Sequence, residues 1–143
     1  MKKIIALILA LVLAMSLVAC GSSNADTPAP NADNATISAY VTANKSDLLA
    51  TMEESFATSS GMTCTSDIYV EGMGFVVTIN INELDDVDTA TKALLQETYD
   101  SMDYLFDSAL DTMREDLPEI EYFQVLVCEA DGDLLATITA GNK

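Results

Sequence analysis

Two pairs of short alternating segments constrain the fold of this chain more than any other feature of its sequence. Apolar and polar side chains alternate with a period of two, which is typical of a β-strand with one buried face. The first pair flanks a glycine-rich turn, Gly72-Met73-Gly74, and the second flanks Asp131-Gly132, a common hairpin signal. The sequence therefore predicts four strands in two hairpins, over residues 62–71, 75–81, 120–129 and 134–139.

Helical spacing of apolar residues precedes the first hairpin. The spacing is regular in its second half but is interrupted by the polar residues 44–47. We predict a short helix over 37–43 with Thr36 as its N-cap, followed by a helix over 47–58 capped by Ser46. A single kinked helix remains the alternative. The apolar positions are Ile37, Val41, Leu48, Leu49, Met52 and Phe56.

A longer helix is predicted between the two hairpins, over residues 89–117. Asp88 is its expected N-cap, and Pro118 ends it because proline lacks the backbone N–H and clashes with the preceding turn. One face of this helix carries an apolar stripe at the 3.6-residue period. The stripe consists of Leu95, Tyr99, Met102, Leu105, Phe106, Ala109 and Met113.

These elements predict one α+β domain over residues 37–143, with the order α-β-β-α-β-β. The strands alternate and each helix has one apolar stripe. We therefore expect two layers, with the helices packed on one face of an antiparallel four-stranded sheet.

The first 19 residues read as a targeting segment. Lys2 and Lys3 precede an uncharged apolar run that is shorter than the roughly 20 residues of a membrane-spanning helix. The run ends in Leu17-Val18-Ala19-Cys20, which resembles the bacterial lipobox. That resemblance implies that the Cys20 thiol receives a diacylglycerol and that residues 1–19 are removed. The alternative is an ordinary signal peptide with an incidental cysteine.

Residues 20–36 are predicted to be the lipid-anchored cysteine and a flexible linker. Ser, Asn, Asp, Pro and Ala dominate this segment and offer little surface to bury. A random coil of this length spans about 20 Å. The linker would therefore hold the domain away from the lipid headgroups, on the extracytoplasmic face of the cell membrane.

Charge and composition exclude several classes of protein. The full chain has a net charge of −17, and removal of Lys2 and Lys3 leaves four basic against 23 acidic residues, or −19. Nucleic-acid binding and flat binding to an anionic membrane both need basic clusters, so neither is expected. The chain has no histidine, which excludes histidine-dependent nucleophiles and histidine-ligated metals. No cofactor is predicted.

Four groups of acidic residues are candidate sites. The loop containing Glu83, Asp85, Asp86 and Asp88 converges best for a divalent cation, although capping and solubility also explain it. A stripe on one helix face would spread its carboxylates over about 16 Å, so a solvated face is the better interpretation. The turn Asp131-Gly132-Asp133 is explained by its glycine, and no catalytic residue is assigned to the outward-facing Asp67 and Glu71. The stripe consists of Asp100, Asp103, Asp107 and Asp111.

Two cysteines besides Cys20 are Cys64 and Cys128. Outside the membrane they could form a disulfide, or both could be buried thiols acting as small apolar residues. The strand phase favours opposite faces of the sheet, which would prevent a bond without backbone movement. However, Leu126 has the same phase as Cys128 and leaves the register of this strand ambiguous.

The predicted open face of the sheet is rich in threonine. Such a face is usually solvated β-surface, but it is also where a partner docks or where an edge strand accepts another strand. The residues expected on it are Thr63, Thr65, Asp67, Tyr69, Thr78, Asn80, Thr137 and Thr139.

Several features of the chain carry a further resemblance. They are the lipobox, the polar linker, the helix start at residues 37–44 and the strand motifs Val70-Glu71-Gly72 and Phe75-Val76-Val77-Thr78. Together they resemble a family of small uncharacterised lipoproteins from Gram-positive bacteria. The resemblance implies a membrane address and one domain of unknown function, with no site residues. We therefore expect a monomeric lipoprotein that binds another envelope component and is not an enzyme. The alternative is a small-ligand- or divalent-cation-binding lipoprotein.

Overall fold

The computed structural model describes residues 34–142, which form three helices and four strands. The predicted signal segment 1–19, Cys20, most of the linker and Lys143 lie outside the described residues. The element order is α-β-β-α-α-β-β, so the predicted order was wrong by one helix. The elements are α1 (Ala35–Ser60), β1 (Cys64–Glu71), β2 (Gly74–Ile81), α2 (Thr89–Asp100), α3 (Asp103–Asp116), β3 (Tyr122–Cys128) and β4 (Leu134–Gly141).

The sheet is mixed, and the prediction of an antiparallel sheet was wrong. Its strand order is β1-β2-β3-β4, and both hairpins are antiparallel, but the central strands β2 and β3 run parallel with Val77 opposite Val125. The helical connection explains this pairing. It passes along β4 from Thr137 to Gly141 and so returns the chain to the end of the sheet where β2 began. A crossover of this kind joins parallel strands.

The predicted helix 89–117 is divided at Ser101 and Met102 into α2 and α3. A straight helix of that length would extend about 43 Å, whereas an eight-residue strand extends about 26 Å. The break allows both halves to stay on the sheet. Locally, the Ser101 hydroxyl donates to the Thr98 carbonyl at 2.7 Å, and the Met102 N–H donates to Tyr99 at 2.9 Å in a tighter turn.

Helix α1 is one continuous helix of 26 residues, so Thr36 and Ser46 are not caps. Its polar interruption at 44–47 contains neither proline nor glycine and does not break the hydrogen-bond ladder. The helix ends at Gly61, whose left-handed φ of 70° allows its N–H to reach the Ala57 carbonyl at 3.0 Å. Among the described helices none is both long and apolar enough to cross a membrane.

The hydrophobic core lies between the three helices and one face of the sheet. Members of the core run from Ile37 in α1 to Ala140 in β4, so this segment carries a core of its own. The rings of Phe75 and Phe123 stack across the parallel pair with centroids 5.9 Å apart. The side chains that face the helices from the two central strands are Phe75, Val77, Ile79, Ile81, Phe123, Val125 and Val127.

Helix α1 covers the edge strand β1 with polar side chains as well as apolar ones. The Glu53 carboxylate accepts from the backbone N–H and the hydroxyl of Ser66, at 2.8 and 2.6 Å. Lys45 donates to the Ile68 carbonyl at 3.2 Å and pairs with Asp67 at 2.6 Å. These side chains bind backbone groups that would otherwise be available to another strand.

Helices α2 and α3 cover the opposite edge strand, β4, in the same way. The Gln96 carboxamide accepts from the Thr137 N–H and donates to the Thr137 carbonyl, both at 2.8 Å. It thus reproduces the two hydrogen bonds that a neighbouring strand would make. The Asp107 carboxylate accepts from the Gly141 N–H at 3.1 Å. Gly141 itself is required here, because a Cβ would collide with the Glu121 carbonyl oxygen.

Replacement of Gln96 by leucine tests this covering of the edge. Q96L leaves both Thr137 backbone groups without their partner, so we expect a loss of about 1–3 kcal/mol in the free energy of unfolding. We also expect a concentration-dependent dimer, since the freed edge can pair with a second chain. Urea denaturation and analytical ultracentrifugation measure the two effects.

The control variant is E97L, which makes a similar polar-to-apolar replacement at an exposed position of α2 and leaves the contact between Gln96 and Thr137 intact. It should lose less stability than Q96L. Equal stabilities of Q96L and the wild-type protein would contradict the role given to Gln96.

Candidate functional site

An apolar groove runs between α1 and α3 on the helical face of the sheet. Its walls come from the two helices, its floor comes from β1 and β2, and the one acidic side chain that lines it is Asp116 at the C-terminal end of α3. Tyr40, Leu48, Leu49 and Met113 are half-buried, so they offer apolar surface to a partner. The other lining residues are Val41, Met52, Ile68, Phe75, Val77 and Leu117.

The groove follows from where the helices lie. Helix α1 packs on β1, and α3 packs on β4 at the other side of the sheet. Adjacent strands are about 4.8 Å apart, so these two strands are separated by about 14 Å. Packed helices prefer an interaxial distance of 8–10 Å. Two helices over the outer strands therefore leave a narrow gap above the central strands.

The groove is too small for a preformed small-molecule site. Its cavity volume is about 30 Å³. Sites for drug-sized ligands have volumes of roughly 300–1,000 Å³ and enclose most of the ligand. The geometry instead fits side chains that a partner inserts from above.

The rim of the groove is acidic. Asp116 is exposed on the α3 side, and Asp47 is exposed on α1, seven residues from Tyr40 and so on the same helix face. Burial of the Tyr40 phenol, and then the charge of Asp116, raise the pKa of Tyr40, so its hydroxyl stays neutral.

No basic side chain lines the groove to offset these charges. The basic residues between 34 and 142 are Lys45, Lys92 and Arg114, and each is in an ion pair elsewhere. Arg114 lies on α3 but donates to the carbonyls of Ile120 and Glu121, at 3.2 Å each.

The predicted acidic loop is used for capping. Asp88 caps α2 as predicted, accepting from the Thr91 N–H at 2.9 Å, and this hydrogen bond lowers the pKa of Asp88. Glu83 accepts from the Thr63 N–H and hydroxyl, at 2.9 and 2.8 Å. Asp85 and Asp86 are exposed. Among the described residues, no three His, Cys, Asp or Glu side chains are grouped so that they could hold a metal ion.

The predicted acidic stripe is divided between α2 and α3. Asp100 accepts from Gln96 at 2.7 Å, Asp107 accepts from Gly141, and Asp111 pairs with Arg114 at 2.8 Å. Burial, and then repulsion from Asp100 and Asp107, raise the pKa of Asp103. Three of the four carboxylates of the stripe therefore have structural partners.

The remaining acidic candidates are also accounted for. Asp67 pairs with Lys45, and this partner lowers the pKa of Asp67. The Glu71 carbonyl accepts from the Tyr122 hydroxyl at 2.7 Å. Gly132 has a φ of 97°, which confirms the turn interpretation of Asp131-Gly132-Asp133.

The structure does not bring Cys64 and Cys128 together, and both are free and buried. They lie on β1 and β3 with β2 between them, which places their Cα atoms about 10 Å apart, beyond the reach of a disulfide. Cys64 is opposite Ile81 and Cys128 is opposite Asn80, so they point to opposite faces. Burial, then Glu53 and Glu83, raise the pKa of Cys64 to about 12, which keeps this thiol protonated.

The threonine-rich face is less open than predicted. Its β1 side chains, including Tyr69, are exposed, but the predicted residues on β2 and β4 are half-buried. This face also carries Val76, Tyr122 and Cys128, which are buried but do not belong to the core formed with the helices.

Sequence analysis missed the one buried charged residue of the described chain, Glu129, which is 2% exposed. Its carboxylate pairs with Lys92 of α2 at 2.5 Å and accepts from the Val87 N–H at 3.3 Å. The ion pair thus joins the residue after β3 to α2, and the hydrogen bond from Val87 joins it to the loop before α2. Lys92 lowers the pKa of Glu129, and Glu129 raises the pKa of Lys92.

We expect this ion pair to give a measurable pH dependence. A carboxyl whose folded pKa is depressed contributes stability above its unfolded pKa of about 4.3, and that contribution is lost as the pH falls through the folded pKa. The difference in unfolding free energy between wild-type and E129Q should therefore be largest near pH 7 and shrink below about pH 4. Urea denaturation of both proteins from pH 7 to pH 3 measures it.

The matched control is D85N, which removes one exposed loop carboxylate. The difference between D85N and wild-type should change little over the same range. A wild-type advantage over E129Q that is constant with pH would contradict the assigned ion pair.

The comparisons with known proteins identify no relative. No family model, no curated protein and no solved structure matches this chain. The groove is therefore described from its own residues. The sequence did contain one signal for it: Leu48 and Leu49 are adjacent, which widens the apolar face of α1 beyond a single stripe.

Proposed function

We propose that this protein is a monomeric lipoprotein of the cell membrane that binds another envelope component on the extracytoplasmic side. In this proposal acyl chains on Cys20 anchor the chain, and the partner docks in the groove between α1 and α3. The lipobox-like sequence that ends at Cys20 supports the proposed location at the cell membrane. Kinship with the small Gram-positive lipoproteins stays a prediction.

The observation that carries the binding proposal is the half-buried apolar lining of the groove. Tyr40, Leu49 and Met113 come from two separate helices and face a common gap. Clustered apolar surface with a polar rim is characteristic of protein docking sites. The groove therefore supports a partner that brings its own side chains.

The small-ligand alternative has less support, because the cavity of about 30 Å³ is an order of magnitude below a typical ligand site. The cation alternative has no grouped ligands in residues 34–142 to support it. We propose no enzymatic activity. The chain has no histidine, the Asp67 carboxylate pairs with Lys45, and the Glu71 carboxylate accepts from the Tyr122 hydroxyl at 3.4 Å.

Site-specific crosslinking in cells tests the docking proposal. A photoreactive phenylalanine analogue replaces Leu48 in the groove or, as a control, the exposed Glu97 on α2, which lies outside it. We expect a discrete crosslinked product at position 48 and none at position 97. Gel electrophoresis and mass spectrometry of the membrane fraction detect it.

A second pair of substitutions shows whether such a product depends on the groove. L49Q combined with M113Q makes both walls polar at half-buried positions, and should reduce the crosslinked product by about tenfold, equivalent to about 1.4 kcal/mol. If the products at positions 48 and 97 are the same, or if the double variant has no effect, the groove is not the docking site.

The tether has its own test. C20A removes the thiol that would carry the lipid, so the protein should move from the membrane fraction to the medium or remain as an uncleaved precursor of higher mass. Loss of the acyl chains removes about 0.8 kcal/mol for each buried methylene group. Fractionation with mass spectrometry distinguishes these outcomes, and a correctly processed, membrane-bound C20A protein would refute the anchor.

A further inference from the structure

We propose that the partner of the groove between α1 and α3 is a basic amphipathic helix, which lays its apolar side chains on Leu49 and Met113 and its cationic side chains beside Asp47 and Asp116. This inference rests on the proposed function, because it names the partner class of the same groove.

The edges of the sheet exclude the commonest alternative mode. A partner that adds a β-strand needs free backbone groups on an edge strand. On β1 the Ser66 N–H and the Ile68 carbonyl are bound by Glu53 and Lys45 of α1. On β4 both backbone groups of Thr137 are bound by Gln96. An extended partner strand therefore has no continuous row of hydrogen-bonding groups to join.

The shape of the groove fits the side chains of a helix that lies above it. Helices placed over β1 and β4 would have axes about 14 Å apart by strand spacing, which is too narrow for a third helix to reach the sheet between them. The gap does admit side chains, as in the packing of helix ridges into grooves. A helix that presents residues at i, i+3, i+4 and i+7 would insert them between the two walls. Met52 and Met113 suit such contact, because methionine adapts its shape to its neighbours.

The charge distribution selects a basic partner. Asp116 lines the groove on α3, and Asp47 is exposed on α1 directly before the lining residue Leu48. Neither is in any of the ion pairs found within residues 34–142. The three cations of that segment are paired elsewhere and none lines the groove. Complementary rim charges speed association and exclude partners of the wrong sign. An acidic helix would be repelled by both carboxylates and by the strongly negative chain around them.

The experiment uses the soluble chain 21–143, which contains the whole core segment from Ile37 to Ala140. Its probes are three fluorescein-labelled peptides of about 14 residues, long enough for about four helical turns. The first is an amphipathic helix of leucine and lysine. The second has glutamate in place of lysine, and the third has the composition of the first in an order with no apolar face. Fluorescence anisotropy at 50 and 200 mM NaCl measures binding.

Two double variants with the same change in net charge separate the groove from the overall charge. D47K combined with D116K reverses both rim charges and leaves the apolar lining intact. D85K combined with E97K reverses two exposed carboxylates outside the groove. All four substituted positions are exposed, so the fold should be retained, and circular dichroism checks that it is.

We expect the leucine–lysine helix to bind at least about tenfold tighter than the other two peptides. D47K/D116K should weaken that binding by about tenfold or more, and D85K/E97K by less than about threefold. Equal weakening by the two double variants would overturn the inference, because overall charge would then explain the attraction.

The remaining outcomes distinguish this inference from the proposed function. If the leucine–glutamate helix binds as tightly as the leucine–lysine helix and L49Q/M113Q weakens both, the groove docks helices but the choice of a basic partner is wrong. If no peptide binds while the crosslink at position 48 persists in cells, the helix inference fails and the docking proposal stands. If no peptide binds and no crosslink forms at position 48, the helix inference and the docking proposal both fail.

Discussion

The edges of the sheet are the constraint on which the rest of the structure depends. A four-stranded sheet exposes backbone groups on its two outer strands, and here helix side chains bind them. Glu53 and Lys45 reach β1 from α1, while Gln96 and Asp107 reach β4 from α2 and α3. These contacts hold the helices over the outer strands instead of the centre. The gap above β2 is the consequence, so the feature that blocks strand addition also creates the groove.

The acidic rim of the groove is not offset by basic side chains among its lining residues. The few basic side chains of the described segment join elements together: Lys92 binds the buried Glu129, Lys45 binds the edge of β1, and Arg114 binds the turn before β3. Each is therefore used in the fold and is unavailable to neutralise the surface. Asp47 and Asp116 keep their full effect on an approaching partner. A chain with more lysines on α1 and α3 would have the same groove without the negative charge on which the proposed basic partner depends.

Local chemistry was predictable from the sequence, and the arrangement of elements was only partly so. The cap at Asp88 and the turn at Asp131-Gly132 depend on a few neighbouring residues, and both were found as predicted. The parallel pairing of β2 and β3 depends on where a distant helix ends. It had one unused signal, the continuous apolar run Phe75-Val76-Val77, which is typical of a central parallel strand. The groove had a weaker signal in the sequence, because its width depends on contacts such as Asp107 with Gly141 that link residues far apart in sequence.

The proposed tether limits the distance between the anchor at Cys20 and a partner in the groove. Helix α1 begins at Ala35, within the last two residues of the predicted linker, and its first turns already contain the groove residue Tyr40. Five residues of helix cover about 8 Å, and a linker of this length spans about 20 Å. A partner in the groove would therefore be held within about 30 Å of the anchor at Cys20. Such a distance suits a basic helix that itself lies close to an anionic membrane surface, since the domain is repelled by that surface while the helix is attracted to it.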